Sequence, residues 1–140
     1  MPYSLQISWD SSNDIGIPIL DEQHRGIVSS INSLGFFIRH DPQADRFLNT
    51  VFTAIDCYTK LHFATEEGFL YRAGYKAAEQ HKKLHLDLIH KSFSIANKSM
   101  RLHNPDIYLQ FLKEWWMTHI NDEDRLYTQM MARYLAREMP

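Results

Sequence analysis

Seven side chains of this 140-residue chain share a donor chemistry and a spacing: His24, the pair His62 and Glu66, the pair His81 and His85, and His119 with Asp124. Imidazole nitrogen and carboxylate oxygen are ligands that iron-class transition metals accept, and seven of them exceed what one tetrahedral ion can use. His62 and Glu66 are four residues apart, as are His81 and His85. On a helix each pair therefore projects from one face, about one turn apart, where both members can reach the same ion or adjacent ions. Five imidazoles and two carboxylates buried without a cation would carry a large desolvation cost. The pattern reads as a two-metal site inside a helical bundle.

Two other metal motifs fall away. His81-Lys82-Lys83-Leu84-His85 lacks the glutamate after its first histidine that a zinc metalloprotease helix uses as general base. The oxygen-activating carboxylate bundles are built on Glu-x-x-His pairs and are rich in glutamate, whereas here histidines outnumber carboxylates five to two. His119 and Asp124 are five residues apart, a rotation of about 140° on a regular helix. Spacing alone would favour Glu123, although Asp124 shares a stripe with Ile120, Tyr127 and Met131. His40 at a turn, His103 in a loop and His90 off the apolar stripe read as surface or rim histidines.

The elements that must position these groups follow from period and punctuation. Residues 1–18 carry Ser, Asn, Asp, Gly16 and Pro18 without sustained periodicity and predict an irregular N-terminal arm pinned by Trp9 and Ile15. From about Leu20 a one-face stripe runs through His24, Ile27, Val28, Ile31, Gly35 and Ile38, ending near Arg39 because proline at 42 excludes helical geometry at Asp41. A second stripe, Phe47, Val51, Ile55, Tyr58, His62, Glu66 and Phe69, stops around Gly74. A third, Ala78, His81, His85, Leu88, Ser92 and Ile95, fades into the polar stretch 97–104. Asn104 as N-cap and Pro105 at the first helical position start the fourth, which continues through Tyr108, Phe111, Leu112, Trp115, His119, Leu126 and Met130. Four helices joined by short loops predict an all-α, antiparallel up-down-up-down four-helix bundle over residues 19–135, the whole of residues 1–140 forming one domain.

Composition sets the remaining bounds. With 44% hydrophobic residues the chain can bury a core. A net charge of −2 without a Lys/Arg block leaves no electrostatic footprint for nucleic acid. No apolar run approaches the roughly 18 residues that would span a bilayer, and the start lacks a basic segment followed by an apolar one. The expectation is a cytoplasmic protein with neither a membrane nor a nucleic-acid partner. The single cysteine, Cys57, cannot form an internal disulfide and is expected as a small buried residue on a helix.

The chain resembles the hemerythrin family, and specifically its bacterial members. The resemblance runs from Trp9 and Gly16 through Asp21-Glu22-Gln23-His24, His62-Phe63-Ala64-Thr65-Glu66-Glu67, Gly74-Tyr75, His81-x-x-x-His85 and His119-Ile120-x-x-x-Asp124 to Tyr127. It implies a non-haem di-iron centre with an oxo or hydroxo bridge. One iron would be held by His81, His85 and His119, the other by His24 and His62, with Glu66 and Asp124 bridging both. It also implies reversible dioxygen binding at the iron with only two histidines, for oxygen storage, delivery or sensing. No external reductant is then required, and the apolar shell that keeps water out becomes functional.

Ile27, Phe63, Trp115, Trp116 and Ile120 flank the ligands in sequence and are the candidate dioxygen pocket, with Trp115 reading equally as core. Trp116 stands where related proteins commonly carry leucine, which adds bulk and an indole N–H that would seek a partner if buried. Two alternatives use the same scaffold. A di-iron oxidase, peroxidase or nitric-oxide-handling enzyme would need an added acid or base, for which the sequence offers only Tyr58, Glu67 and Tyr127. A sensing input domain excised from a signalling protein would be expected beside an output domain or heptad linker, and these 140 residues carry neither.

Overall fold

A computed structural model describes residues 7–41, 46, 48–115, 118–119 and 127–138. The described residues form five α-helices and include no strand: α1 Pro18–His40, α2 Leu48–Arg72, α3 Ala78–Arg101, α4 Pro105–Trp115 and α5 Thr128–Glu138. Helix α1 packs on α2 and α4, and α3 packs on the same two. Short connections between neighbouring helices leave only the antiparallel order, so the expected four-helix bundle is what forms. No described helix is long and apolar enough to cross a membrane.

The helix ends follow their local chemistry. Pro18 opens α1 at a position where its missing N–H costs nothing, and Asp21 lies in the first turn, where the helix dipole favours a negative charge. Asp41 is extended, as the residue before a proline must be. Helix α2 closes with the hydrogen bonds Tyr75 N–H to Leu70 O (3.0 Å) and Gly74 N–H to Tyr71 O (3.2 Å) around Gly74 at φ +71°. That is a Schellman stop, which favours glycine. Helix α3 ends the same way, with Asn104 N–H to Ser99 O (3.0 Å) and His103 N–H to Met100 O (3.1 Å), but with His103 at φ +50°. Lacking a glycine signal, α3 runs on to Arg101, through the polar stretch where its stripe fades. Asn104 Oδ1 accepts from Asp106 N–H at 3.2 Å and caps α4 as expected.

Other expectations are corrected. The arm is not wholly irregular: Ser11–Asn13 form a 3-10 turn capped by Asp10. Asn32 on α1 holds it by a reciprocal pair, accepting from Ile7 N–H (2.9 Å) and donating to Ile7 O (2.8 Å). Asp21 accepts from Ile15 N–H (2.7 Å) and Gly16 N–H (3.2 Å), and Ile15 is buried, as Gly16 at φ +87° turns the chain into α1. The fourth stripe is not carried by one described helix. Helix α4 ends at Trp115, Thr118 and His119 have π geometry, and α5 starts at Thr128. Cys57 is exposed on α2, because its position turns away from the face holding Ile55 and His62. Phe47 and Leu126 lie outside the described residues.

Two apolar clusters fill the interior. The larger includes Ile27, Ile31, Leu34, Phe52, Ile55, Phe63, Tyr108, Leu112 and Trp115. The smaller, at the end sealed by the arm, is Ile15, Ile17, Leu20, Leu70, Tyr127 and Met131. Helices α1 and α2 approach closely at Gly26, where an added Cβ would stand 2.1 Å from Tyr58 Oη. Gly26→Ala is therefore expected to destabilise the fold by about 1–3 kcal/mol through overpacking. Chemical denaturation checks this, with Tyr58→Phe in the same background recovering part of the loss.

Candidate metal centre

The ligand-type residues occupy the seam between the two clusters. On α1, His24 stands between Leu20 of the smaller cluster and Ile27 of the larger; on α2, His62 and Glu66 stand between Ile55 of the larger and Leu70 of the smaller. His119 falls between Trp115 and Tyr127. One polar layer thus crosses an apolar bundle, and ordinary helical periodicity places it there. His24, His62, Glu66 and His85 have no solvent exposure, His119 has 2%, and the His81 side chain has 9%.

Within the layer two groups share one carboxylate. His24 Nε2 and His62 Nε2 are 3.2 Å apart, and His62 Nε2 is 3.4 Å from Glu66 Oε2. On the other side His85 Nε2 lies 3.2 Å from both Glu66 Oε1 and His119 Nε2, and His81 Nε2 contacts Glu66 Oε1. One ligand atom from each of Glu66, His81, His85 and His119 falls within 4.8 Å of the others, and the same holds for His24, His62 and Glu66. Six of the seven expected ligands therefore converge. Asp124 lies outside the described residues, as do Trp116 and Ile120. His40, His90 and His103 are exposed, as expected.

The backs of two rings fix their orientation. His62 Nδ1–H donates to Gln23 Oε1 at 2.9 Å, and His85 Nδ1–H donates to Glu67 Oε1 at 2.9 Å. Both acceptors are oxygens that can only accept, since a carboxylate has no proton to give and an amide oxygen has none. Each ring thus spends its N–H outward and aims Nε2 at Glu66. A neutral imidazole in that state presents a lone pair to a carboxylate oxygen, which is repulsive unless a positive charge lies between them. The donor set and its orientation fit a cation.

Glu66 shows the same demand. Burial by itself would raise its pKa, but hydrogen bonds from His62, His81 and His85, together with the charge of His62, outweigh burial and hold the carboxyl well below the usual range. Without metal that positive charge must come from protons on the rings. A metal ion replaces them, so binding releases protons.

Two of the apolar candidates wrap this layer closely. Phe63 stacks on His85 with centroids 3.8 Å apart and planes 7° from parallel, and it meets His119 edge-on at 5.6 Å. Trp115 lies parallel to His119, 10° between planes and 6.2 Å between centroids. Ile27 is buried in the same cluster one turn from His24. Trp115, Phe111 and Leu88 separate a cavity of about 10 Å³ beside Phe63 from a solvent-facing hollow of about 200 Å³ that reaches His119.

Sequence reasoning missed the partners of the rings. Gln23 and Glu67 each adjoin a ligand, His24 and Glu66, but serve a histidine on a neighbouring helix, so no spacing along one helix announces them. Of the three acid or base candidates, Glu67 is bonded to His85, the Tyr58 hydroxyl lies against Gly26, and Tyr127 packs edge-on to His81 at 5.5 Å.

Comparison with known proteins converges on one family. The family model described as the hemerythrin HHE cation binding domain matches residues 15–131. A hemerythrin of Sipunculus nudus is 33% identical over 88% of this chain and 92% of its own. A bacteriohemerythrin of Pseudomonas aeruginosa is 30% identical over 91% and 83%, respectively. A crystal structure of a hemerythrin variant superposes with a TM-score of 0.79 at 22% identity, over 92% of this chain and 99% of the other.

Because Glu66 serves both groups, Glu66→Ala is expected to lower metal uptake at both, whereas His24→Ala should spare the group around His85. Metal analysis after loading with ferrous iron under argon checks this. Uptake should also weaken as the solution is acidified below neutrality, because protons compete with the metal for the ring nitrogens. Glu66, held low, stays ionised there, so a loss confined to the region below about pH 4, where ordinary carboxylates protonate, would contradict the imidazole assignment.

Proposed function

The chain belongs to the hemerythrin HHE cation-binding family, and from that premise we propose that it binds dioxygen reversibly at a non-haem di-iron centre, for oxygen storage, delivery or sensing. The observation that carries the reading is the division of the buried layer into a three-histidine and a two-histidine group around one carboxylate. His81, His85, His119 and Glu66 would hold one iron. His24, His62 and Glu66 would hold the other. Asp124, by resemblance, would join Glu66 in holding both. A non-haem di-iron centre held there would supply reversible exchange of two electrons with dioxygen. The two-histidine group donates fewer protein ligands and is therefore where a small ligand enters.

The chain's own residues bind, orient and keep water out. Gln23 and Glu67 fix the ring orientation of His62 and His85. Ile27, Phe63 and Trp115 line the layer with groups that offer no acid, and Trp116 and Ile120 are assigned to the same pocket by sequence. A dry surround matters because a stray proton delivered to the site turns reversible binding into irreversible oxidation. Tyr58, Glu67 and Tyr127 are each engaged structurally, which favours an oxygen carrier over an oxidase or peroxidase. The match over residues 15–131 supports reading arm and bundle as one domain.

Anaerobic loading is expected to give about two irons per chain, and air should then raise a visible band that disappears on deoxygenation and returns on re-exposure. A single zinc, or a colour change that cannot be reversed, would overturn the proposal. Removing the metal with a chelator should lower the melting temperature, since an ion that binds only the folded state stabilises it by mass action. Trp115→Ala should join the 10 Å³ cavity to the outer hollow and reduce the number of oxygenation cycles the protein survives. If Trp115 is only core, the same change should cost roughly 3–5 kcal/mol of stability with cycling unchanged.

A further inference from the structure

The two halves of the layer are backed by groups of unequal charge. Behind His85 stands the Glu67 carboxylate, partly exposed at 27%, 2.9 Å from Nδ1. Behind His62 stands a neutral amide, and its orientation is fixed by a directed chain. The Thr65 hydroxyl donates to Leu61 O at 2.9 Å, a carbonyl that can only accept. With its one proton spent, Thr65 Oγ1 accepts from Gln23 Nε2 at 3.1 Å. The amide oxygen is thereby turned to His62 Nδ1 at 2.9 Å. Without Thr65 the Gln23 amide can flip, presenting N–H to His62 Nδ1 and stripping the ring of the state in which Nε2 is free.

We propose that Glu67 and the Thr65–Gln23 pair are positioning residues that make the two metal positions inequivalent: a charged clamp strengthens the position held by His85, and a neutral, hydroxyl-locked clamp sets the position held by His62. The inference rests on the two-ion reading above. A carboxylate hydrogen-bonded to an imidazole raises its basicity and stabilises the more highly charged metal state, whereas an amide aligns the ring without adding charge. The position at His81, His85 and His119 is thus the tighter one and the easier to oxidise. The position at His24 and His62 is the weaker, which suits the side that must leave room for a ligand.

The test is anaerobic titration of the metal-free full-length protein with ferrous iron by calorimetry, combined with redox titration of the loaded protein. Glu67→Gln keeps size and hydrogen bonding but removes the charge. It is expected to weaken the tighter step by about ten- to hundredfold and to raise the potential of that iron, leaving the weaker step unchanged. Thr65→Val should weaken only the other step, and Thr65→Ser, which keeps the hydroxyl, should restore it. Gln23→Glu should lower the potential on its own side. A role confined to folding would move both steps together and would not be rescued by Thr65→Ser. Parent-like isotherms and potentials in Glu67→Gln and Thr65→Val, or effects on the opposite steps, overturn the proposal. If the parent takes up only one iron, the two-ion reading fails, and Glu67→Gln still decides whether Glu67 supports the position at His85.

Discussion

Most of this structure can be traced to a negative charge with no access to water. Glu66 is fully buried on α2, and an isolated carboxylate in an apolar bundle is too costly to persist. Its compensation comes from α3, through His81 and His85, and from its own helix, through His62 one turn back. The packing of α2 on α3 is therefore tied to charge as well as to apolar area. Helix α3 is shallower in the core: His85 and Ser99 are its only fully buried residues, while Leu88, Ile89, Ile95, Ala96 and Met100 pack partly buried against the larger cluster. Helix α3 is thus held through the polar layer as well as through apolar contacts, so metal binding and folding are coupled in this half of the bundle.

The same charge explains why the layer lies between two apolar clusters rather than at one end. Each cluster excludes water from one side of the layer, which strengthens every interaction within it. The smaller cluster needs the arm for closure. Asp21 reaches back to the backbone of Ile15 and Gly16, and this brings Ile15 and Ile17 over Leu20, one turn before His24. An acidic residue in the first turn of α1 thus has a consequence at the site: it holds the lid of the cluster that keeps His24 dry.

How much is legible in the sequence depends on whether a signal lies along one helix or across two. The i,i+4 pairs on α2 and α3, the turns at Asp41, Gly74 and Asn104, and the stripe of α1 are local, and each is found where the residues place it. Gln23, Thr65 and Glu67 act across helices, and their roles emerge only when α1, α2 and α3 are packed. Cys57 shows the reverse failure, since an apolar preference for burial is overridden by a helix face that turns it outward. The run-on of α3 to Arg101 carries no sequence signal, because a histidine, not a glycine, takes the left-handed position that stops it.

The irregularity at His119 bears on the step that regular geometry handles least well. On an α-helix a five-residue step rotates a side chain well off the face, which is why spacing favours Glu123 over Asp124 as the partner of His119. A π turn takes in one more residue than an α turn, closing on i+5 instead of i+4. His119 itself has π geometry, so the regular spacing that favours Glu123 does not hold at the ligand itself. Such bulges interrupt the hydrogen-bond ladder and persist only where something else holds the segment. Here His119 is held by stacking on Trp115 and by its contact with His85. At His119 the departure from helical regularity is thus braced by residues of α4 and α3 that border the metal layer.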